Sequence, residues 1–360
     1  MEARPTVAIL GAGAAGGYLA GRLANICPRL TLIGRQRIAD AVSLRGLILR
    51  HGDAESVTHP KMVTSAEHAG VHDLVILCVR SYDVEASVAD ARVLTGDHGV
   101  LLAMQNGVGS EEILAGAFGR ERVVAGTLTA RTAMEEPGIV TRCSRADGVA
   151  LSSMDGSVCP AWIAGLFQLV GMPTVQIACY RSLRWSKLLL NMLGAASSAI
   201  LDVDMSALVA DRLAFRIEQL AFREATRVMS RQHIKAVALP GYPVPLVRMT
   251  MRLPRPLAQR SLGPRLAGAR GAASPAMRAD VTHGRSEVAW LNGAVVDAAR
   301  AARRTAPVNA ALTALVEDLT RNPRLRQKYA RRPDRLASFV RQYERYDARV
   351  SDPVSPFPLP

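Results

Sequence analysis

A lysine and an asparagine lie one helical turn apart in the segment Arg184-Trp185-Ser186-Lys187-Leu188-Leu189-Leu190-Asn191. Residues four apart share one face of a helix, so Lys187 and Asn191 could together bind and polarise a carbonyl or a carboxylate. The alternative is a solvated surface lysine beside a neutral polar residue. The apolar residues around Lys187 favour the chemical interpretation, because a solvated helix face carries more polar side chains.

Glu287 is a second candidate for chemistry. It lies at the start of an apolar helix predicted over 286–303, with Asn292 and Gly293 inside that helix. Its carboxylate could bind a substrate, or it could simply compensate the positive end of the helix dipole.

A glycine-rich turn opens the chain. The short apolar, β-prone run Val7-Ala8-Ile9-Leu10 leads directly into Gly11, Gly13, Ala14 and Gly16, and an Ala/Leu-rich helical pattern follows. This Gly-x-Gly-x-x-Gly spacing between a strand and a helix binds a dinucleotide pyrophosphate on free helix N–H groups. The alternative is an ordinary glycine turn. We therefore predict that these four residues bind a dinucleotide cofactor.

The end of the second predicted strand, Leu30-Thr31-Leu32-Ile33, indicates which cofactor is bound. An NAD-binding fold usually has an acid here for the ribose 2′-hydroxyl, whereas this chain continues Gly34-Arg35-Gln36-Arg37. A guanidinium pairs with a phosphate in bidentate fashion, so Arg35 favours the 2′-phosphate of NADPH over NADH. The alternative is a solvated loop arginine.

Nearly continuous apolar runs at 74–79, 99–104 and 123–129 are typical of strands buried on both faces. The first run ends at Arg80 and the second at Gln105-Asn106-Gly107. Ligands of doubly wound sheets bind at the carboxyl ends of the strands. Arg80 and Asn106 are therefore predicted to join the glycine turn and Arg35 at one edge of a parallel sheet.

The texture of the sequence changes near Leu183, where longer Ala/Leu/Val/Arg patterns at helical spacing replace the short apolar runs. The prediction is an α/β protein with an N-terminal Rossmann-type doubly wound parallel sheet and an all-helical C-terminal domain. The predicted parts are an NADP-binding domain at 1–180, a helical substrate and dimerisation domain at 181–325 with a Pro/Arg-rich loop or lid at 239–276, and a basic C-terminal tail at 326–360.

The composition restricts the class of protein. The chain has 360 residues, of which 49% are hydrophobic, a fraction typical of a globular protein rather than a disordered one. Its formal net charge is +14. The charge alone would permit nucleic acid or an acidic membrane as a partner, but the arginines are dispersed and no basic-aromatic motif is present. We expect neither partner.

The five cysteines are far apart and form no Cys-x-x-Cys pair, so neither a disulfide framework nor a zinc site is predicted. No signal peptide precedes the first strand, and no apolar run approaches the length of a membrane span. The expectation is a cytoplasmic protein without a metal, acting as a monomer or homodimer.

Taken together, these motifs resemble the ketopantoate reductase (2-dehydropantoate 2-reductase) family. The resemblance covers almost the whole chain, from Val7 to about Leu319. Besides the glycine turn, Arg35 and Gln105-Asn106-Gly107, the residues that carry it are Trp185-x-Lys187-Leu188-x-x-Asn191, Arg285-Ser286-Glu287, Leu291-Asn292-Gly293-Ala294-Val295-Val296 and Pro307-Val308-Asn309.

The resemblance implies NADPH-dependent reduction of a 2-oxo acid to a 2-hydroxy acid, with ketopantoate reduced to pantoate by default. It gives Lys187 the role of general acid, or of polarising the keto oxygen, and Glu287 the role of binding the substrate hydroxyl. Asn106 and Asn191 would contact nicotinamide or substrate, and Ser274 is the nearest match to a substrate-binding serine. Hydride addition builds negative charge on the carbonyl oxygen, which an ammonium stabilises and can protonate.

The chain also departs from the family pattern. Arg80 stands where the family usually has lysine, Ala195 replaces a second asparagine, and Val288 replaces an aspartate. The spacing around Ser274 is about one residue short, and Ala276 competes for its position. Three alternatives stay open: a family member that reduces a different 2-oxo acid, a related dehydrogenase or imine reductase that works in the other direction, and a non-catalytic NADPH-binding regulatory protein.

Overall fold

The computed structural model describes residues 5–156, 161–270 and 276–350. The chain divides into two compact units, which are described separately. The first unit comprises Met1–Lys187 and Val237–Pro243, and the second comprises Leu188–Ala236 and Val244–Pro360. The division into a cofactor domain and a substrate domain stays a prediction.

The strands belong to the first unit. In chain order they are β1 (Val7–Leu10), β2 (Leu30–Ile33), β3 (Leu47–His51), β4 (Ala54–Thr58), β5 (Lys61–Val63), β6 (Leu74–Leu77), β7 (Val100–Ala103), β8 (Val123–Leu128), β9 (Thr132–Glu136), β10 (Ile139–Arg142), β11 (Val149–Ser153) and β12 (Thr174–Gln176).

The helices alternate with the strands along the first unit and make up most of the second unit. They are α1 (Ala14–Leu23), α2 (Gln36–Arg45), α3 (Val88–Thr95), α4 (Ser110–Phe118), α5 (Ala161–Leu169), α6 (Tyr180–Met192), α7 (Ala195–Leu201), α8 (Met205–Ala210), α9 (Arg212–Arg231), α10 (Val244–Thr250), α11 (Arg255–Arg270), α12 (Ala276–Thr282), α13 (Asn292–Ala301), α14 (Pro307–Arg321), α15 (Arg326–Tyr329) and α16 (Pro333–Val350). The division between the units falls within α6, after Lys187.

Within the described residues, eight strands form the main sheet in the order β12-β11-β8-β7-β6-β1-β2-β5. The six strands from β8 to β5 pair in parallel, whereas β11 is antiparallel to β8. Strands β1 and β6 are apolar and fully buried, as expected when both faces of a sheet are covered. The chain runs from β1 outward to β5 and then continues on the other side of β1 with β6, which is the doubly wound order. The predicted fold class is confirmed.

A second sheet, in the order β4-β3-β10-β9, is not predicted by the sequence patterns. Helix α1 packs against this sheet through its glycines, since a Cβ atom at Gly17 would meet Val140 and one at Gly21 would meet Leu49. The first four residues of β4 are exposed, so this strand carries no apolar run. A half-exposed sheet of short strands gives a weaker sequence signal than the buried main sheet.

The prediction of a loop at 239–276 is wrong for most of the residues that the structure describes there, because they form α10 and α11. Pro245 and Pro256 occupy the second position of these helices, where a missing N–H group breaks no helical hydrogen bond. Met251 and Ala258 are completely buried and attach the segment to the core of the second unit. Its role as a lid stays a prediction.

The basic tail predicted at 326–360 begins with α15 and α16. Helix α16 packs against α9 and α14 and buries Leu336, Ala337 and Val340. These positions recur at helical spacing, so the helix is held by its apolar face. None of the described helices is both long enough and apolar enough to cross a membrane.

Candidate active site

The main sheet gathers several polar residues at one edge. Because β2, β1, β6, β7 and β8 are parallel, their carboxyl ends lie at the same edge. The direction of winding changes between β1 and β6, and a crevice outside the strand ends at such a switch point is where doubly wound sheets bind ligands. The residues that follow these strands are therefore placed to contact a bound ligand.

The turn after β1 requires glycine at two positions. Gly11 has φ of +109°, and a Cβ atom there would lie 2.9 Å from the backbone of Cys78 and of Val79, at the end of β6. A Cβ atom at Gly16 would collide with the carbonyl oxygen of Gly11. The turn is therefore closed tightly against the switch point.

Gly13 differs from its neighbours because it faces open space. A Cβ atom there would meet nothing within 4 Å. Gly13 precedes α1, which begins at Ala14, and the start of this helix has no capping side chain and no acid in its first turn. The amides and the positive dipole end of α1 therefore offer a cradle for an anion such as a pyrophosphate.

The end of β2 presents a guanidinium. Arg35 precedes α2 with extended backbone, and its side chain is exposed. Within the parts of the chain that the structure describes, its guanidinium forms no hydrogen bond or ion pair with protein groups, whereas its backbone carbonyl accepts from the N–H groups of Ile38 and Ala39. No acid stands at this strand end, since the nearest one on α2 is Asp40, which accepts a hydrogen bond from Gln36. These features suit binding of an added phosphate.

The ends of β6 and β7 are hydrogen-bonded to each other. Gln105 is buried, and its Nε2 donates to the carbonyl oxygens of Leu77 at 2.9 Å and Val79 at 3.3 Å. The Ser81 hydroxyl donates to the carbonyl oxygen of Asn106 at 2.6 Å. Gln105 is thus structural, and it holds the exposed Asn106 at the same edge as the glycine turn.

Arg80 comes between these two strand ends in the chain. It is half-buried and precedes a short 3₁₀ turn at Ser81–Asp83.

Burial raises the pKa of the nearby Cys78 thiol to about 12, so this cysteine stays protonated at neutral pH. Among the described residues, no cluster of three or more His, Cys, Asp or Glu side chains is placed to hold a metal ion. The edge instead presents backbone amides and cationic side chains.

Lys187 lies at this edge. Its side chain is half-buried, and its Nζ donates a hydrogen bond of 2.8 Å to the carbonyl oxygen of Leu128, the last residue of β8. The ammonium is therefore held in the row of strand ends to which the glycine turn also belongs.

Sequence reasoning gave no role to Arg184, one turn before Lys187 on α6. Only 2% of Arg184 is exposed, and its guanidinium donates to the carbonyl oxygens of Gln105 at 2.7 Å and Ala103 at 2.6 Å. It also forms an ion pair with Glu111. Burial raises the pKa of Glu111, and the charge of Arg184 opposes that rise. Nothing in the sequence distinguishes this arginine from the many others.

In the second unit, Glu287 is 6% exposed and precedes a 3₁₀ turn at Val288–Trp290. The predicted helix starts later than expected, since α13 begins at Asn292. The backbone of Leu291, with φ of −105° and ψ of −91°, interrupts the helical path. Asn292 and Gly293 therefore begin the helix and do not lie inside it.

Asn191 is half-buried on α6. Ser274, the predicted substrate-binding serine, lies outside the described residues. Its role is a prediction from the sequence alone.

Two further motif residues of the second unit are architectural. The Nδ2 atom of Asn292 donates to Oδ1 of Asn309 at 2.9 Å, and the Nδ2 atom of Asn309 donates to Glu224 at 2.7 Å. Glu224 also accepts from the backbone N–H groups of Val308 and Asn309, which begin α14. Burial raises the pKa of Glu224, and these bonds oppose the rise. The network joins α9, α13 and α14.

Comparison with known proteins gives a consistent result over both units. Family models described as ketopantoate reductase PanE/ApbA and its C-terminal part match residues 7–155 and 180–320. The 2-dehydropantoate 2-reductase of Halobacterium salinarum is 31% identical over 316 residues, which cover 86% of this chain and 97% of that relative.

Two solved structures share the fold. A PanE/ApbA family ketopantoate reductase from Ralstonia eutropha matches with a TM-score of 0.74 at 26% identity, over 88% of this chain and 100% of that one. D-mandelate dehydrogenase, solved with NADH and anilino(oxo)acetate, matches with a TM-score of 0.75 at 22% identity, over 88% and 99%. The resemblance stated from the motifs is confirmed. The chain belongs to the ketopantoate reductase PanE/ApbA family and is an oxidoreductase that acts on CH–OH groups with a nicotinamide cofactor.

Proposed function

We propose that this protein reduces a 2-oxo acid to the 2-hydroxy acid with NADPH, and that ketopantoate is the first substrate to test. The observation that carries the proposal is the hydrogen bond from Lys187 to the end of β8. It fixes a cation at the sheet edge that also carries the dinucleotide-type turn. A cation at that edge can stabilise the negative charge that hydride transfer builds on a carbonyl oxygen.

The cofactor residues fit NADPH. Gly13 leaves room for a pyrophosphate beside the uncapped start of α1, and Arg35 offers an exposed guanidinium to a 2′-phosphate. Arg80 and Asn106, at neighbouring strand ends, are proposed as further cofactor contacts. When bound, NADPH supplies the hydride.

Lys187 is the proposed general acid. As negative charge develops on the keto oxygen, a nearby ammonium lowers the free energy of the transition state and can deliver the proton. The bond to Leu128 holds the ammonium in one orientation. Pre-organisation of this kind avoids reorganising the group during the reaction.

The substrate contacts are proposed from the family resemblance. Glu287 would accept a hydrogen bond from the substrate hydroxyl. Asn191 and Asn106 would contact the oxo acid or the nicotinamide, and Ser274 would bind the substrate.

A different 2-oxo acid is the second candidate. Arg80 stands in place of lysine, and Ala195, in place of asparagine, is buried and offers no polar side chain. A structural relative named D-mandelate dehydrogenase was solved with an aryl-substituted oxo acid, anilino(oxo)acetate. The substrate panel should therefore include aryl 2-oxo acids.

The deciding experiment is a turnover screen with purified protein. Ketopantoate, 2-oxoisovalerate, pyruvate and phenylglyoxylate would each be offered with NADPH and with NADH, and both cofactor oxidation and the hydroxy acid product would be measured. Substrate-dependent turnover that is faster with NADPH supports the proposal. NADPH binding without turnover on any acid would support the non-catalytic alternative instead.

A further inference from the structure

We propose that Arg184 is a positioning residue for Lys187, and that its ion pair with Glu111 keeps it in place. The proposal rests on the proposed function, in which Lys187 acts as general acid. It extends that function by naming the residues that hold α6 in register with the sheet. No chemical step is assigned to Arg184 itself.

The two carbonyl oxygens that Arg184 contacts both lie at one strand end. Its guanidinium donates to the carbonyl oxygens of Ala103, the last residue of β7, and of Gln105, two residues further on. Gln105 in turn donates to carbonyl oxygens at the end of β6. Arg184 therefore connects α6 to the ends of two adjacent strands.

Lys187 connects the same helix to the next strand. It follows Arg184 by three residues, which places both on one side of α6. Its bond to Leu128 reaches the end of β8, and β8 is the parallel neighbour of β7. Two bonded residues one turn apart, attached to adjacent strands, fix both the rotation of the helix and its distance from the sheet.

The same turn of α6 has a third contact within the first unit. The buried hydroxyl of Ser186 accepts a hydrogen bond of 2.8 Å from the backbone N–H of Val237. Arg184, Ser186 and Lys187 thus each have a defined partner. Of these three residues, only Arg184 carries a buried charge.

Glu111 makes that buried charge tolerable. It is 1% exposed and lies in the first turn of α4, where the helix dipole favours a carboxylate. Its pKa is raised by burial, and the guanidinium of Arg184 opposes this. Removing either partner would leave the other as an uncompensated buried charge.

The test is a double-mutant cycle between Arg184→Met and Lys187→Ala, measured with the best substrate of the panel. If Arg184 acts through Lys187, we expect Arg184→Met to lower kcat about tenfold with NADPH affinity within about threefold. In the Lys187→Ala background it should then lower kcat less than about twofold. Arg184→Lys should restore part of the loss, because it keeps the charge and one donor group.

Arg122→Met is the matched control. Arg122 also donates to two backbone carbonyls, those of Gly96 and Gly99, but at the opposite end of β7. It should cost stability and leave kcat within about twofold. If Arg184→Met fails to fold because Glu111 is left unpaired, the double variant Arg184→Met/Glu111→Gln removes both charges and takes its place in the cycle.

Backbone hydrogen exchange provides a readout without turnover. Amides of Leu183–Leu190 should exchange faster in Arg184→Met than in the wild type or in Arg122→Met. Unchanged exchange in a folded Arg184→Met protein, or kcat losses that add fully in the cycle, would overturn the proposal. A wild-type protein without turnover would overturn the proposed function separately, and hydrogen exchange would still decide the positioning of α6.

Discussion

Two buried polar networks, one in each unit, involve residues that the motifs single out. At the sheet edge of the first unit, Arg184 and Lys187 bond to strand-end carbonyls, and Lys187 keeps part of its side chain exposed. In the second unit, Asn292 and Asn309 are completely buried, and Asn309 bonds to Glu224 and to backbone. In the sequence, Lys187, Asn292 and Asn309 are all polar residues within apolar helical segments. In the structure, the first network presents a cation to solvent, whereas the second holds helices together.

The largest expected effect is the loss of turnover in Lys187→Ala. Removing the ammonium should lower kcat about a thousandfold, which corresponds to about 4 kcal/mol of transition-state stabilisation. NADPH affinity should stay within about threefold, because the proposed role begins with the chemical step.

Lys61→Ala is its control, since Lys61 also donates to a backbone carbonyl, that of His68, but lies at the start of β5. Its kcat should match the wild type. Equal rates for Lys187→Ala and the wild type would contradict the role assigned to Lys187.

Asn309→Ala tests the other side of the comparison. It removes bonds to Asn292, Glu224 and the carbonyl oxygen of Ala221, so the free energy of unfolding should fall by about 3 kcal/mol in urea denaturation. The kcat per folded molecule should stay within about twofold.

Thr313→Val, one turn later on α14, loses a single bond to its own helix and should cost about 0.5 kcal/mol. If Asn309→Ala instead abolished turnover without loss of stability, the network would not be architectural.

Arg35→Asp should weaken NADPH binding about thirtyfold, or about 2 kcal/mol, and change NADH binding by less than about threefold. The physical reason is the loss of a bidentate partner for the 2′-phosphate and the gain of a repelling charge. Arg37→Asp makes the same change in net charge two residues later and should have a smaller effect. Equal losses for both cofactors would mean that Arg35 does not contact the 2′-phosphate.

The smallest expected effect concerns the pH dependence of stability in Glu224→Gln. Burial raises the pKa of Glu224 above its ordinary value of 4.5, so folding favours the protonated carboxyl. The stabilisation that Glu224 contributes to the fold is fully present below its unfolded-state pKa and is lost as the pH rises through the folded-state pKa. Relative to the Gln variant, the wild type should therefore become less stable as the pH rises from about 4. If the free energy of unfolding of the wild type instead rose relative to that of Glu224→Gln as the pH increased, the direction of the pKa shift would be wrong.

The sequence predicts most of the main sheet because its strands are buried on both faces. Runs such as Val7–Leu10 and Leu74–Leu77 are apolar throughout, and this signal is local. The second sheet gives no comparable signal, since the first four residues of β4 are exposed. The helices at 244–250 and 255–270 are not predicted, because prolines are typical of loops: Pro245 and Pro256 stand in first turns, where a helix tolerates them, and Pro264 lies inside the second helix.

The candidate site was predictable in part for the same reason. The glycine turn and the arginine after β2 depend on a few neighbouring residues, and both stand where the sequence indicates. The beginning of α13 at Asn292 was not predictable, because it depends on the backbone of Leu291 and on the buried partner Asn309.

The sequence by itself determined the glycine turn, the cation after β2 and the apolar strands, because each is written in adjacent residues. It also determined the membership of the family, through several such short motifs along the chain. Only the tertiary structure decided that Lys187 bonds to the end of β8 and that Arg184 is buried. The partners in these bonds are 59, 79 and 81 residues away along the chain. The sequence does not distinguish an arginine or lysine on the surface from one at the sheet edge, because neither side chain carries a local signal of burial. The difference arises only when the fold brings the carbonyl partners close.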